Sequence, residues 1–420
     1  MTTRTSAALN RIVIVGGSVA GARTAQALRS RGFAGELVVI EPHAGEAYDR
    51  PPLSKDYLTG ARARAQLDLI PGGWASLDVH VITASAASLD TASRAVTVSD
   101  GQVITYDGLV IATGLSPRKL LTDDGEPIGH VIGSLADADA LRAKLHEGAH
   151  VVVVGGGFIA AEAASVARGL GLRASIINRH ANLLQGSLGP VVSAHIAATH
   201  LANGVDLISE ARLASIARDG DGAVITLEDG RRVHADVLVV GVGSEPNTGW
   251  LEGSGIRVDN GVITDARCRA FGAAGVYAIG DVAHFYDVHS AKPRRVGHWN
   301  HAADQATIVA HNLLHRDDPI GYREAPYFWS DQFGEKIQVA GYPDPDAHVD
   351  LLMLDGAPPR RVAVYTHGDD DGCGAVVTFG WPRGMAAVRR LLPLDPTTAE
   401  MLVELGKLAA GPRPAPVPTP

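Results

Sequence analysis

The feature that most constrains this chain is a local pattern that occurs twice: RIVIVGGSVAGARTAQALRSRGF followed by ELVVIEP from Arg11, and HVVVVGGGFIAAEAASVARGLGLRASIINRH from His150. Each copy opens as a β-branched apolar run, ends on glycine, passes a turn of small residues and enters an Ala-rich helical stretch before a second apolar run. In the first copy Gly16 opens the turn, Ser18 takes the middle glycine position, and Val19 and Ala20 lead into the helix. Glu41 stands 25 residues after Gly16 (41 − 16), near the spacing at which an acid reaches a ribose hydroxyl. The second copy has Gly155 and Gly157, then Phe158 and Ile159, with Ala160 at the third glycine position. Turn glycines let backbone amides at a helix N-terminus approach a pyrophosphate closely. One degenerate turn is compatible with an ordinary strand–helix connection. Two, with first glycines 139 residues apart (155 − 16), point to two bound dinucleotides.

The chain has 420 residues, 46% hydrophobic, enough for two or three domains with real cores. A formal net charge of −9 argues against a uniformly basic nucleic-acid binder. Two distant cysteines, Cys268 and Cys373, give neither a disulfide framework nor a zinc spacing, so no metal site is expected. No apolar signal segment precedes Ile12, and the most apolar runs are broken by glycines and Glu162. The expectation is a cytoplasmic protein without membrane spans.

Two further strands run into glycine, VIATG (110–114) and YAIGDVA (277–283). Asp281 lies just past the latter, placed to accept from a ribityl hydroxyl or, in the plainer reading, to cap a helix. With YDRPPLSK (48–55), IATGLSPR (111–118), GGGFIAAE (155–162), GVGSEPNT (241–248) and FWSDQF (328–333), the chain resembles FAD-dependent ferredoxin reductases that serve oxygenases and cytochromes P450. These belong to the glutathione-reductase-like class. The resemblance implies an α/β fold with two dinucleotide-binding (Rossmann-like) domains, the FAD domain discontinuous, plus a C-terminal α+β domain. The FAD domain would comprise 1–118 and 241–322, the NAD(P)H domain 119–240 and the C-terminal domain 323–410, with 411–420 a disordered proline-rich tail.

The resemblance also implies roles. Lys55 and Glu162 would form an ion pair beside flavin N5, although a solvated lysine and a helix-dipole glutamate are the bland alternatives. Trp329 would lie against the flavin, its alternative being a core aromatic. Arg50, Thr113, Gly114, Arg118, Val282, His298 and Trp299 would line FAD, and Gly243 the nicotinamide nucleotide. The family often carries an acid where this chain has Gly297. His298 and His301 lack a wider ligand set and read as supporting or surface histidines.

No cysteine precedes Cys268, which removes the dithiol and single-thiol chemistry of disulfide reductases and peroxidases of this fold. Electrons would leave the flavin directly. The resemblance implies a [2Fe-2S] ferredoxin as acceptor, feeding a cytochrome P450 or other oxygenase, with Arg294 and Arg295, Arg360 and Arg361, or Arg389 and Arg390 as basic docking pairs. A monomer or a homodimer fits the resemblance. Rivals are a reductase of quinones or small acceptors and an apoptosis-inducing-factor-like signalling flavoprotein.

Asn178 stands 23 residues after Gly155 (178 − 155), where an acid would accept from the adenosine ribose and repel a 2′-phosphate. Asn removes that repulsion, and Arg179 and His180 would pair with phosphate. The expected nucleotide is therefore NADPH, with NADH as the alternative that most ferredoxin reductases of this kind use.

Overall fold

The computed structural model describes residues 9–287, 292–355, 359–367 and 371–410. The expected tail 411–420 lies outside them. The chain divides into two compact units, each built from three segments. One comprises Met1–Pro52, Arg62–Ser116 and Ser244–Glu324, the other Leu53–Ala61, Pro117–Gly243 and Ala325–Pro420.

The first unit is organised on a parallel sheet with the spatial order Val276–Ala278, Gly108–Ile111, Arg11–Val15, Glu36–Ile40, Val79–Ile82. Both faces of this sheet are covered, which is why its strands read as unbroken apolar runs. Ile12 and Ile14 point to a core shared with the helices Val19–Ser30 and Trp299–Leu314, through Ala22, Ala25, Leu28, Val309 and Leu313. Val13 and Val15 point the other way, to Val38, Ile111, Val262 and Val282. Small residues bring the first helix close: a Cβ on Gly21 would stand 1.9 Å from the Gly16 carbonyl oxygen. The helix stops at Arg31, followed by Gly32 at φ +82, the left-handed position that ends many helices.

The second unit repeats the scheme with the parallel order Val205–Ile208, Arg173–Ile177, His150–Val154, Val237–Val240. The helix Phe158–Gly169 packs on this sheet through Ala160, Ala163, Ala164 and Ala167. The same core continues into an antiparallel five-stranded sheet of order Tyr327–Gln332, Glu335–Gly341, Gly372–Phe379, Arg360–His367, Val349–Leu354. Alternation decides its faces. Val339, Ala363, Tyr365 and Val377 join the nucleotide-sheet core. Ala340, Val362, Val364 and Val376 meet the helices Pro382–Leu391 and Thr398–Ala410 through Met385, Val388, Met401 and Leu405. No helix among the described residues is long and apolar enough to cross a membrane.

Candidate functional site

In the first unit the strand Arg11–Val15 delivers Gly16 at φ +106, and a Cβ there would lie 2.2 Å from the Ala112 carbonyl oxygen. Only glycine fits. The helix that follows has no side-chain cap at Ser18, which leaves its first amides available to an anion. Glu41 is fixed beside this turn: Gly17 N–H donates to Oε2 at 2.7 Å and His43 N–H to Oε1 at 3.1 Å. Each oxygen keeps further lone pairs for a ribose hydroxyl.

Asp281 makes no side-chain hydrogen bond among the described residues and sits in the short 3₁₀ turn Gly280–Val282, not at a helix cap. Burial pushes its pKa up to about 6, against the attraction of Arg50 and Arg295. A half-buried carboxylate with open acceptor positions suits a polyol hydroxyl. The space near it depends on Gly297, where a Cβ would stand 3.5 Å from Asp281 Oδ2. Trp299 opens the helix Trp299–Leu314 with the Arg23 guanidinium 5.3 Å over its ring. Its buried Nε1 has no partner among the described residues. A turn that only glycine fits, an uncapped helix end, an open half-buried acceptor and an indole donor unpartnered among the described residues together fit FAD.

The remaining flavin-side residues take varied positions. The Thr113 hydroxyl donates to the Asn247 carbonyl at 2.8 Å, so it braces the GVGSEPNT segment, and Gly114 turns beside it at φ +63. Val282 is part of the core. Arg118, in the second unit, is exposed, with its backbone N–H on the Gly243 carbonyl. Of the two histidines, His298 stands in extended conformation at the start of the Trp299 helix without a side-chain cap bond to it, and burial pushes its pKa down to about 4. His301 is a core residue, 1% exposed, packed on Phe285 and edge-on to Tyr322. Among the described residues no cluster of three metal-ligating side chains occurs.

The second turn is a variation on the first. Gly155 has φ +128, and a Cβ would meet the Gly241 carbonyl oxygen at 2.1 Å. A Cβ on Gly157 would meet nothing within 4 Å, so the mouth of the uncapped helix Phe158–Gly169 is open where a pyrophosphate belongs. Ala160 fits the third position because it faces Gly241, itself without a side chain. Ile159 is 39% exposed, and Phe158 meets Phe328 edge-on at 5.1 Å. These features fit a second dinucleotide.

Asn178 occupies the place that Glu41 holds in the first unit, directly after the second strand. It is buried, and its Nδ2 donates to the carbonyls of His180 and Asn182, each at 2.9 Å. Its amide thus shapes the turn that presents Arg179 and His180. Arg179 is exposed, has no carboxylate partner among the described residues, and its Nε donates to His180 Nε2 at 3.2 Å.

On the first turns of the same helix, Glu162 is 3% exposed. Lys55 Nζ lies 2.7 Å from its Oε2. Ser54 Oγ donates to that oxygen at 2.5 Å, and Ser330 Oγ donates to Oε1 at 2.6 Å. Each partner answers a need, since an unpaired buried carboxylate costs several kcal/mol. The lysine stem comes from a segment anchored by Leu58 in the unit's core and by Tyr57 Oη on Asp139 at 2.7 Å. Trp329 faces away from Ser330 along its strand, stacked on Tyr327 and under the Lys336 ammonium at 5.4 Å. Sequence reasoning missed Ser54, Ser330 and the residues behind them. The available signal was the alternation in FWSDQF, which puts Ser330 and Gln332 on one face.

A family model described as pyridine nucleotide-disulphide oxidoreductase matches residues 10–306, and one described as reductase C-terminal matches 327–401. The chain is 34% identical over 385 residues to the anthranilate 1,2-dioxygenase system ferredoxin--NAD(+) reductase component of Burkholderia cepacia, covering 90% of this chain and 93% of that protein. The reductase in a covalent putidaredoxin reductase–putidaredoxin complex superposes with TM-score 0.86 at 26% identity, covering 95% of this chain and 96% of that one. The ferredoxin reductase for the CYP199A2 system from Rhodopseudomonas palustris gives 0.87 at 28%, covering 96% and 100%.

Proposed function

Because the chain belongs to the pyridine nucleotide-disulphide oxidoreductase family and carries a reductase C-terminal domain, we propose that it takes hydride from a nicotinamide nucleotide into bound FAD and passes the electrons singly to a [2Fe-2S] ferredoxin. The ferredoxin would supply a cytochrome P450 or other oxygenase. The observation that carries this reading is the buried ion pair of Lys55 and Glu162 in a protein without a reactive thiol. Burial pushes the Cys373 thiol up to about 12 and the Cys268 thiol higher still. Neither is a thiolate near neutral pH, which favours direct exit of electrons over a dithiol relay.

Bound FAD supplies the hydride acceptor and its conversion to single-electron steps. In this proposal residues 1–118 and 241–322 hold it, through the turn at Gly16, Glu41, Asp281 and Trp299. The segment 119–240 holds the nucleotide at Gly155 and Gly157. Lys55 keeps a positive charge available to the reduced ring, and Glu162 holds Lys55. We assign NADPH as the preferred nucleotide, from a buried amide at position 178 and an Arg179 guanidinium unclaimed by any carboxylate among the described residues.

Anaerobic stopped-flow reduction with NADPH and NADH tests the nucleotide assignment. A preference for NADPH of about tenfold, roughly 1.4 kcal/mol, is expected; equal or better reduction by NADH removes it. Cytochrome c reduction with and without added [2Fe-2S] ferredoxin tests the acceptor. Stimulation by ferredoxin beyond that by free quinone is expected, and faster turnover with quinone would make this a small-acceptor reductase.

A further inference from the structure

The contacts at Glu162 extend well beyond the ion pair. Ser330 Oγ, which donates to Glu162 Oε1, receives Gln332 Nε2 at 3.0 Å, and Gln332 Oε1 lies 2.9 Å from His200 Nε2. Ser54, Glu162, Ser330, Gln332 and His200 are all 3% exposed or less. So long a run of buried polar side chains is costly unless every member is satisfied.

Each link has one sense. An ionised carboxylate only accepts, so the Ser330 proton is aimed at Glu162. The Ser330 lone pair then takes the Gln332 amide. Reversing that amide would ask one serine proton to serve two acceptors and would lose the bond to Glu162. The Gln332 carbonyl accepts only, which puts the His200 proton on Nε2. His200 Nδ1 is buried without a partner among the described residues, so a second proton there would be stranded. Burial accordingly pushes the histidine pKa down. The imidazole is held edge-on against Phe333 at 4.9 Å, and Phe333 N–H donates to Ser165 Oγ at 2.7 Å, on the same helix as Glu162.

The donors divide into a mobile one and fixed ones. Lys55 has a flexible stem and is 14% exposed, whereas Ser54 and Ser330 are short and enclosed. If Lys55 Nζ moves away, Glu162 still keeps one hydroxyl on each oxygen. We propose that Ser330, backed by Gln332 and His200, is a positioning residue for hydride transfer: a one-way donor chain that keeps the Glu162 side chain in place while Lys55 leaves and returns as the nicotinamide ring enters. This rests on the reading that Lys55 and Glu162 serve the reaction.

The test uses FAD-loaded enzyme and two readouts. In 15N-histidine NMR spectra, the signal removed by His200→Gln should be a neutral Nε2–H imidazole from about pH 5.5 to 8.5. In anaerobic stopped flow, Ser330→Ala should lower the limiting rate of flavin reduction about tenfold with the nucleotide dissociation constant within about twofold, and Ser330→Thr should recover it to within about threefold. A purely structural serine would change stability and leave this split absent. A His200 that titrates in that range, or a Ser330→Ala enzyme with the wild-type limiting rate, overturns the proposal. Lys55→Met and Glu162→Gln separate the two levels. If both reduce at the wild-type rate, the ion-pair reading itself falls. If both are slow and Ser330→Ala is not, that reading stands and the donor chain alone falls. Should Ser330→Ala fail to retain FAD, Gln332→Leu carries the same test, with a loss of about threefold expected and an unchanged rate overturning it.

Discussion

Gly156 and Asn178 define one another: a Cβ on Gly156 would stand 2.2 Å from the Asn178 side-chain oxygen. The first unit shows the same relationship with a different outcome, Gly17 donating its amide to the carboxylate of Glu41 at 2.7 Å. One architecture therefore carries two side chains of opposite electrostatic meaning at one position, a carboxylate beside the first turn and an amide beside the second.

If Arg179 pairs with the 2′-phosphate as proposed, Arg179→Ala should reduce the efficiency of NADPH about tenfold, with NADH, which lacks that phosphate, changed less than about twofold. Asn178→Asp should act in the same direction by adding repulsion. Steady-state kcat/KM for the two nucleotides decides both.

Lys55→Met should lower stability by about 3 kcal/mol, because it strips the cation from a buried carboxylate. The double variant Lys55→Met with Glu162→Met should recover part of that loss. Thermal or denaturant unfolding of the four proteins of this cycle gives the coupling. A fully additive double variant would show that Ser54 and Ser330 alone satisfy Glu162.

If Glu41 accepts from the FAD ribose as proposed, Glu41→Ala should weaken FAD binding about tenfold or more, since that acceptor is lost along with the bonds to Gly17 and His43. The FAD retained after extensive dialysis, measured from the flavin to protein absorbance ratio, reports it.

The raised pKa of Asp281, about 6, gives a defined pH dependence. Its charged, accepting form predominates above that value, so FAD affinity should fall as pH drops through about 6. The sign for stability is opposite. A carboxyl whose folded pKa is raised costs nothing below its unfolded value, and the cost grows until pH passes the folded value. Asp281→Asn should flatten the FAD titration and make the FAD-free protein more stable above pH 6 than below pH 4, relative to the original. Fluorescence titration with FAD and unfolding at several pH values check the two signs.

Much of the fold was legible because its signals are local. The apolar runs ending at Gly16 and Gly155, the small-residue helices after them, and the alternating strands near Ile337 and Val362 each advertise themselves within a dozen residues. The meeting of Lys55 and Glu162 came from resemblance, since nothing near either residue names the other. The donor chain was illegible for the same reason taken further. Its links join residues 108, 168 and 132 positions apart, and only the parity of Ser330 and Gln332 was visible beforehand. From sequence His301 reads as a supporting or surface residue, because no wider ligand set accompanies it. Its burial comes from Phe285 and Tyr322, one before it and one after.

The order of strands in the first unit has a consequence for how the protein is made. Gly108–Ile111 pairs with Val276–Ala278, which leaves the ribosome more than 160 residues later. Until then the emerging sheet presents a bare, wholly apolar edge, the kind that recruits neighbouring chains. The second unit waits longer still, because its core includes strands beyond Tyr327. Synthesis of this chain therefore passes through a long interval in which one sheet lacks its edge strand and another lacks the layer that covers its core, and both must be kept from their copies on the same message.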